Sequence, residues 1–567
     1  MSSVDNKPLR IASASGSVTD RRHAFAELAK NEEIQYIVGD WMSEYNMTTR
    51  GGAKVGGDGT SAGEFEYSFL EALEPALPHL QSKGIKVAVN AGASDTQKLY
   101  YIVVDMIKKA GLNLEVGWVG GDEVMDAVQK TKNAGQSFRS LTTGKTLSEW
   151  DFEPIYAQCY LGAWGIVEAL KGGADIVLCG RVSDASPTIG CAAYHFGWSR
   201  EDYSQLAHAF VAGHFIECST YVTGGNFSGF KSLPGLSLDI GFPIAEFESN
   251  GEFYVTKQSG KDGMVTVDTC KAQLLYEIQG PLYYNSDVVA ILDKIEIEPA
   301  GKDRVSIKNV GYLKPPPTTK VGLTAKGGYQ AEIHFFLCGL DIEEKAAMLE
   351  RQVRHRLDES KYHCLKFRTN GRCPNDPKNQ DSATVDVRIF AQAKNESDLS
   401  LSSFFRPVTD TIMQTYPGAT FAVDARQATP KPYFEYWVSI IPQADVKHVA
   451  YLPSESGLEI PIPAPTDTVD FQYEQDTYEP RDPINVASLG PTTRAPLGYV
   501  MHARSGDKGS DCNVGFFARH ADEWDWLRSL LTTDKVRELL GEDDTGKPIF
   551  RFELPNIWVS VNQNNAN

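Results

Sequence analysis

"ADIVLCGRVSDASPTIGCAAYHFG", residues 174–197, runs through the unbroken apolar Ile176–Cys179 and breaks at Gly180. It then crosses a turn rich in charge and hydroxyls and resumes as a helical pattern closed by Gly197. A short continuous apolar run suits a strand buried on both faces, and a glycine past the last periodic residue suits a helix end. The plan recurs in "LRIASASGSVTDRRHAFAEL" (9–28), "IKVAVNAGASDTQKLYYIVVDMIKKAG" (85–111) and "LNLEVGWVGGDEVMDAV" (112–128). Strands alternating with helices predict an α/β domain over residues 1–305, with a doubly wound, mostly parallel sheet. The turns at the carboxyl ends of such strands line the ligand crevice, so 15–21, 90–95, 120–123 and 180–186 are expected to converge. None of them is a G-x-G-x-x-G or Walker sequence, so no motif supports a nucleotide.

Past residue 305 the pattern changes. Three consecutive prolines (315–317) mark a boundary, and a strand, a helix near 341–359, and further strands near 362–368, 384–392 and 433–441 predict an α+β layer over 306–451. Residues 452–494, rich in Pro, Asp and Thr, form a linker or wrapping segment, and 495–567 form a small α+β unit of strands around a helical stretch.

Composition narrows the function. With 42% hydrophobic and 23% charged residues in 567, the chain is an ordinary multidomain globular protein. No apolar run reaches membrane-spanning length and the N-terminus has no apolar core of a signal peptide, which predicts a cytoplasmic protein without a membrane partner. A formal charge of −19 argues against nucleic acid. Nine cysteines without a C-x-x-C pair argue against a disulfide framework or a zinc ribbon, and no motif calls for a metal or another cofactor.

Candidate site residues fall in the expected crevice turns. Ser17, Asp20 and Arg21 precede or open a helix; they either cap it or, with the arginine opposing the macrodipole, bind an anion. Asp40 and Glu44 are spaced to share a helix face. Asn90 sits in the second turn, and Asp122 and Glu123 suit the start of a helix. Arg181 and Asp184, directly after the buried strand, are either an ion-paired turn or a substrate clamp. In "GHFIECSTYVTGGNFSGF" (213–230), His214 and Glu217 fit an oriented general base. The amides of Thr223, Gly224, Gly225 and Asn226 fit an oxyanion nest, and Cys218 is a second-choice nucleophile. Lys257 precedes a glycine turn and either reaches an anion or is solvated. Finally, "HARSGDKGSDCNVGFFARH" (502–520) reads as an over-furnished loop whose Arg504, Asp507, Lys508 and Asn513 either enter the crevice or brace a domain contact.

Several of these stretches, as they stand, resemble the acyclic terpene utilization (AtuA-like) family: "SASGSVTDRR" (13–22), "IVGDWMSEYNM" (37–47), "VAVNAG" (87–92), "GADIVLCGRVSDASPTIG" (173–190), "GHFIECSTYVTGGNF" (213–227) and "VTKQSGKDGMVTVDTCKAQLLYEIQGPLYY" (255–284). "ARSGDKGSDCNVGFFAR" (503–519) resembles that family's small ferredoxin-like domain. The family is named for bacterial gene clusters that degrade citronellol and geraniol through branched acyl-CoA intermediates. The resemblance implies an enzyme of terpenoid or branched-acid catabolism with a ferredoxin-like C-terminal domain. Where relatives read "NAGGLNP" and "GDD", this chain has "NAGASDT" (90–96) and "GGDE" (120–123), which implies a different substrate.

The expectation is therefore a lyase or hydratase working by general acid–base chemistry on a carboxylate or acyl-CoA thioester. Its catalytic groups are His214, Glu217, Asp184 and Arg181, its ligand is a small anionic molecule, and it forms a homo-oligomer. The alternatives are an ester, lactone or thioester hydrolase, and a non-catalytic acyl-CoA-binding or scaffold subunit.

Overall fold

The computed structural model describes residues 8–56, 64–133, 138–453, 458–508 and 511–565. By contact the chain divides into two compact units, one of residues 1–150, 156–323 and 436–567, the other of 151–155 and 324–435.

The first unit is built on an eleven-stranded sheet. At its centre β1 (Leu9–Ser13), β2 (Tyr36–Gly39), β3 (Lys86–Val89), β6 (Ile176–Cys179) and β4 (Val116–Gly120) lie side by side and parallel. The strand before β6, β5 (Pro154–Cys159), leaves this sheet and pairs elsewhere. Each central strand splits its side chains between two cores by the two-residue period: Ile37, Val87, Val89 and Leu178 face one, Tyr36, Val38, Ala88 and Cys179 the other. The helices after β1 and β3, α1 (His23–Asn31) and α5 (Thr96–Lys109), cover the first face. Those flanking and following β6, α7 (Trp164–Lys171), α8 (Ser186–Phe196) and α9 (Tyr203–Glu217), cover the second.

The sheet as a whole is mixed, which corrects the mostly parallel expectation. Beyond β1 come β7 (Pro243–Phe247), β8 (Phe253–Lys257), Val305–Lys308 and Glu296–Pro299, all antiparallel, and beyond β4 come Val449–Tyr451 and Glu459–Pro461, also antiparallel. Five residues join β7 to β8, too few for the crossover a parallel pair needs. Nor do two halves wind outward from the middle; the chain starts at one end of the parallel segment and β6 returns into the gap beside β3.

Within the same unit the C-terminal residues form a four-stranded antiparallel sheet in the order Met501–Lys508, Asp511–Ala518, Val559–Asn565, Ile549–Leu554, with helices Trp524–Leu530 and Thr533–Leu540. The polar stretch expected as a loop is strand: Arg504 pairs with Gly515, Gly506 with Asn513 and Asp507 with Cys512. Its alternation buries Arg504, Gly506, Asp511 and Asn513 and exposes Ser505, Asp507 and Cys512. The buried face is polar, so the usual apolar alternation is missing from the sequence.

In the second unit, strands Tyr362–Asn370 and Thr384–Ala393 and the later part of Thr318–Cys338 form an antiparallel ladder, with helix Ile342–Arg356 contributing Leu349 and Val353 to their core. Among the described residues no helix is long and apolar enough to cross a membrane.

Candidate functional site

A cavity of about 460 Å³ opens in the first unit. Its wall includes Tyr160 and Asp184 from the ends of β5 and β6, Phe210 and Glu217 from α9, and Glu277, Tyr283 and Asn285 from the segment after α10 (Val267–Leu274). Phe471 to Asp476, in the stretch expected to be a linker, also line it, as do Asp511, Phe550 and Gln563 of the C-terminal sheet and Lys547 just before one of its strands. That stretch is a strap: the Gln475 amide pairs with both backbone groups of Leu282, each at 2.8 Å, and the Tyr284 hydroxyl accepts from Gln472 N.

Behind the wall the crevice turns converge as the topology requires. The Gly92 amide donates to the Cys179 carbonyl at 2.9 Å, and Asp122 accepts from the Arg181 amide and from Gln158 Nε2, both at 2.8 Å. A Cβ on Gly16 would lie 2.5 Å from Ser219 N, so the turn after β1 closes on the turn after α9 only because that position is glycine. Ala93 and Ser219, in these turns, are non-glycine residues with positive φ, as are Asn226 and Glu277 in the segments after α9 and α10, a conformation that collects at functional sites.

Glu217 and His214 are both buried, at 6% and 1% exposure, and only Glu217 reaches the cavity. His214 Nε2 lies 3.0 Å from the Gln273 carbonyl and 3.2 Å from that of Leu274, so this nitrogen carries a hydrogen and is committed. Nδ1 faces Tyr283 Oη at 3.1 Å and Glu217 Oε1 at 3.3 Å. Backbone carbonyls therefore fix the tautomer, the histidine has no open nitrogen for a substrate, and of the two expected base candidates Glu217 is the one on the wall. Burial opposes charge on His214, but hydrogen bonding to Glu217 carries its pKa above the usual imidazole value. Burial lifts Glu217 above the ordinary carboxylate range; His214 opposes this, while Asp184 and Glu277 add to it.

Arg181 is 1% exposed and bonds Asp184 at 2.8 Å, with its guanidinium 4.0 Å above the Tyr160 ring. Desolvating a guanidinium this deeply costs several kcal/mol, offset by the carboxylate and the ring face. Its Nε and Nη1 find no hydrogen-bond partner among the described residues. Burial and the neighbouring Asp184 raise Asp40 well above the usual carboxylate range, although Asn90 donates to it. Asp40 precedes the helix Glu44–Gly56, so it shares no helix face with Glu44, contrary to expectation. Asp122 is likewise no helix cap, since the helix starts at Met125.

Several expected ligand contacts are already satisfied inside the protein. The amides of Thr223, Gly224 and Gly225 donate to the carbonyls of Thr220, Tyr221 and Thr220, so they form a closed turn and no oxyanion nest; the Thr223 hydroxyl is spent on Gly241 O at 2.7 Å. The Asn226 carbonyl accepts from Arg504 at 3.2 Å. Arg21 pairs with Asp239 and lies 4.6 Å over Phe242; Asp20 accepts from the Gly16 and Arg21 amides, and Ser17 from Thr19 N. Lys257 closes its own turn on the Lys261 carbonyl at 2.6 Å. Among the described residues one triad, His23, Glu27 and Asp239, has metal-ligand spacing, and Lys261 pairs with both of its carboxylates.

The C-terminal stretch serves mainly to dock its domain. Arg504 lies between Tyr221 and Tyr276, 4.4 and 4.3 Å from the ring centres, and Asn513 donates to the Leu275 carbonyl at 2.7 Å. Asp507 points to solvent, and the Lys508 side chain lies outside the described residues. Asp511, Lys547 and Gln563 reach the cavity instead. The Cys218 thiol is lifted well above its ordinary pKa by burial and by Glu217, Glu277, Asp40 and Asp184, the opposite of what a thiolate nucleophile needs.

These features define a mixed α/β protein whose carboxyl-lined cavity is completed by a small C-terminal domain. Residues 9–452 match the model of acyclic terpene utilisation family protein AtuA and residues 495–558 that of the AtuA ferredoxin-like domain, so the chain belongs to the acyclic terpene utilisation family. Neither the curated proteins nor the solved structures contain a match to it.

Proposed function

We propose that the protein is a lyase or hydratase that abstracts a proton next to a carbonyl, with Glu217 as the base. The observation that carries this reading is a buried carboxyl on the cavity wall, backed by an imidazole locked on its far side. A carboxyl whose pKa is raised toward neutrality is matched to both taking and returning a proton. Glu217 takes the proton from carbon, the electron pair moves into the carbonyl, and its collapse expels a β-hydroxyl. The hydroxyl leaves as water with the proton that Glu217 returns. Asp184, held by Arg181, stands on the same wall as a second polar contact. Arg139, Lys320 and Lys547 are the wall's cations and the groups that suit a carboxylate or the phosphates of an acyl-CoA substrate. The raised Cys218 thiol counts against a cysteine hydrolase.

The test is deuterium incorporation in D₂O into a panel of butyryl, crotonyl and 3-hydroxybutyryl thioesters of CoA and of pantetheine, read by mass. Exchange by the wild type is expected, with a fall of about 10²- to 10⁴-fold in Glu217→Gln. Exchange that is equal in the two proteins, or absent from the wild type across the panel, contradicts the reading.

A further inference from the structure

Gln472, Tyr473, Glu474 and Asp476 are exposed to solvent and also line the cavity, so along this stretch the strap is the layer between the two. We infer that residues 470–476 are the gate through which a ligand enters and leaves, and that Gln475 is the positioning residue that latches it. The gate does not depend on the acid–base reading above, and no turnover enters its test.

Residues 462–485 form neither helix nor strand, so no ladder holds them, and the firm ties lie at the two ends of the gate. Before it, the Val469 amide donates to the Pro315 carbonyl at 3.0 Å, and Asp467 pairs with Lys314 at 2.7 Å. After it, the Tyr478 amide donates to the Arg551 carbonyl and Arg551 Nη1 to the Tyr478 carbonyl, both at 3.0 Å. The Arg551 amide donates to the Thr477 hydroxyl at 2.9 Å. Between these ties, the hydrogen bonds among the described residues are the pair joining the Gln475 carboxamide to Leu282 and one from the Gln472 amide to the Tyr284 hydroxyl at 3.2 Å. Phe471 and Tyr473 add ring contacts to Tyr284 and Arg139, at 4.7 and 5.5 Å. Leu282–Tyr284 is the edge strand of a three-stranded sheet, and Leu282 faces Ile291 on its inner side. On its outer side one glutamine side chain takes the place of a further strand. The carboxamide fits there because residue 280 is glycine: a Cβ at that position would lie 2.2 Å from Gln475 Cδ. A latch of two neutral hydrogen bonds is weak enough to release and re-form, and its loss multiplies the open population by about 10- to 100-fold. Opening of this kind, between fixed ends, is how a loop admits a ligand to a covered site.

The test places a thiol on the cavity wall and times its labelling by iodoacetamide in the full chain. Ile440, which lines the cavity, is replaced by cysteine, and the peptide bearing residue 440 is read by mass. Ile440→Cys alone is compared with the same chain carrying Gln475→Ala, and with one carrying Gly280→Ala, which leaves Gln475 in place but denies its carboxamide the space. Labelling about 10- to 100-fold faster is expected in both. Backbone amide exchange, followed by mass, should quicken in residues 470–476 and at Leu282, while the central strand Ile176–Cys179 exchanges as in the wild type. That contrast separates an opened gate from a loosened fold. Equal labelling in all three proteins overturns the gate. Exchange that quickens throughout the chain overturns the latch, since Gln475 would then be holding the fold rather than its mouth.

Discussion

Lys271 offers the most quantitative test of how the C-terminal domain is seated. It is 2% exposed, its ammonium lies 4.5 Å from the Trp558 ring centre and 5.8 Å from that of Phe517, and it reaches the Ala518 carbonyl at 3.3 Å. Burial lowers its pKa from 10.5 to about 8, with Asp268 opposing. The folded state thus holds this proton more weakly than the unfolded chain. The resulting destabilisation is fully present below pH about 8 and fades as pH rises to about 10.5. The gap between those values corresponds to roughly 3 kcal/mol. Lys271→Met removes that cost but loses one hydrogen bond, about 1 kcal/mol, and the cation–ring contacts, about 1 kcal/mol. At pH 7 the variant should therefore be more stable by roughly 1 kcal/mol, and near pH 10.5 less stable by a similar amount. Urea unfolding of both proteins at several pH values, followed by tryptophan fluorescence, measures the difference and cancels every other titrating group. A variant that is less stable at pH 7, by a margin that stays constant with pH, would refute the reasoning.

Two further outcomes follow from the same packing. Arg504→Ala removes a guanidinium held between two tyrosines and its bond to Asn226, a loss of about 2–4 kcal/mol in docking the C-terminal domain; faster proteolysis within residues 480–500 is expected, and an unchanged cleavage rate would show that the arginine bears no docking energy. In iodoacetamide labelling at neutral pH the exposed Cys512 should react before the half-buried Cys218, whose thiol is held protonated by desolvation and nearby carboxylates; early labelling of Cys218 would restore the nucleophile reading.

The parallel centre was legible because strands such as "IVLC" are buried on both faces and lie between helices ended by glycine. The antiparallel flanks were not, because β7 and β8 carry no crossover helix to announce their direction. Residues 504–508 and 511–513 read as a loop because the alternation that makes them strands buries Arg504, Asp511 and Asn513 in place of apolar side chains. The His–Glu spacing on α9 was visible, but which partner faces the ligand depends on carbonyls 59 and 60 residues away. Tyr283 and the strap around Gln475 carry no local pattern, and only the fold brings them to the cavity. Twin glycines likewise suggested an open nest, whereas the turn closes its own amides.

The most direct measurement is the pH dependence of deuterium exchange from about pH 4 to 9, in wild type and Glu217→Gln. The wild-type rate should rise through an inflection above the ordinary glutamate value of 4.5, because burial and the carboxyls of Asp184 and Glu277 hold the Glu217 proton. In Glu217→Gln that inflection should vanish together with most of the rate. An inflection that persists in the variant, or a wild-type inflection at or below 4.5, would contradict Glu217 as the base.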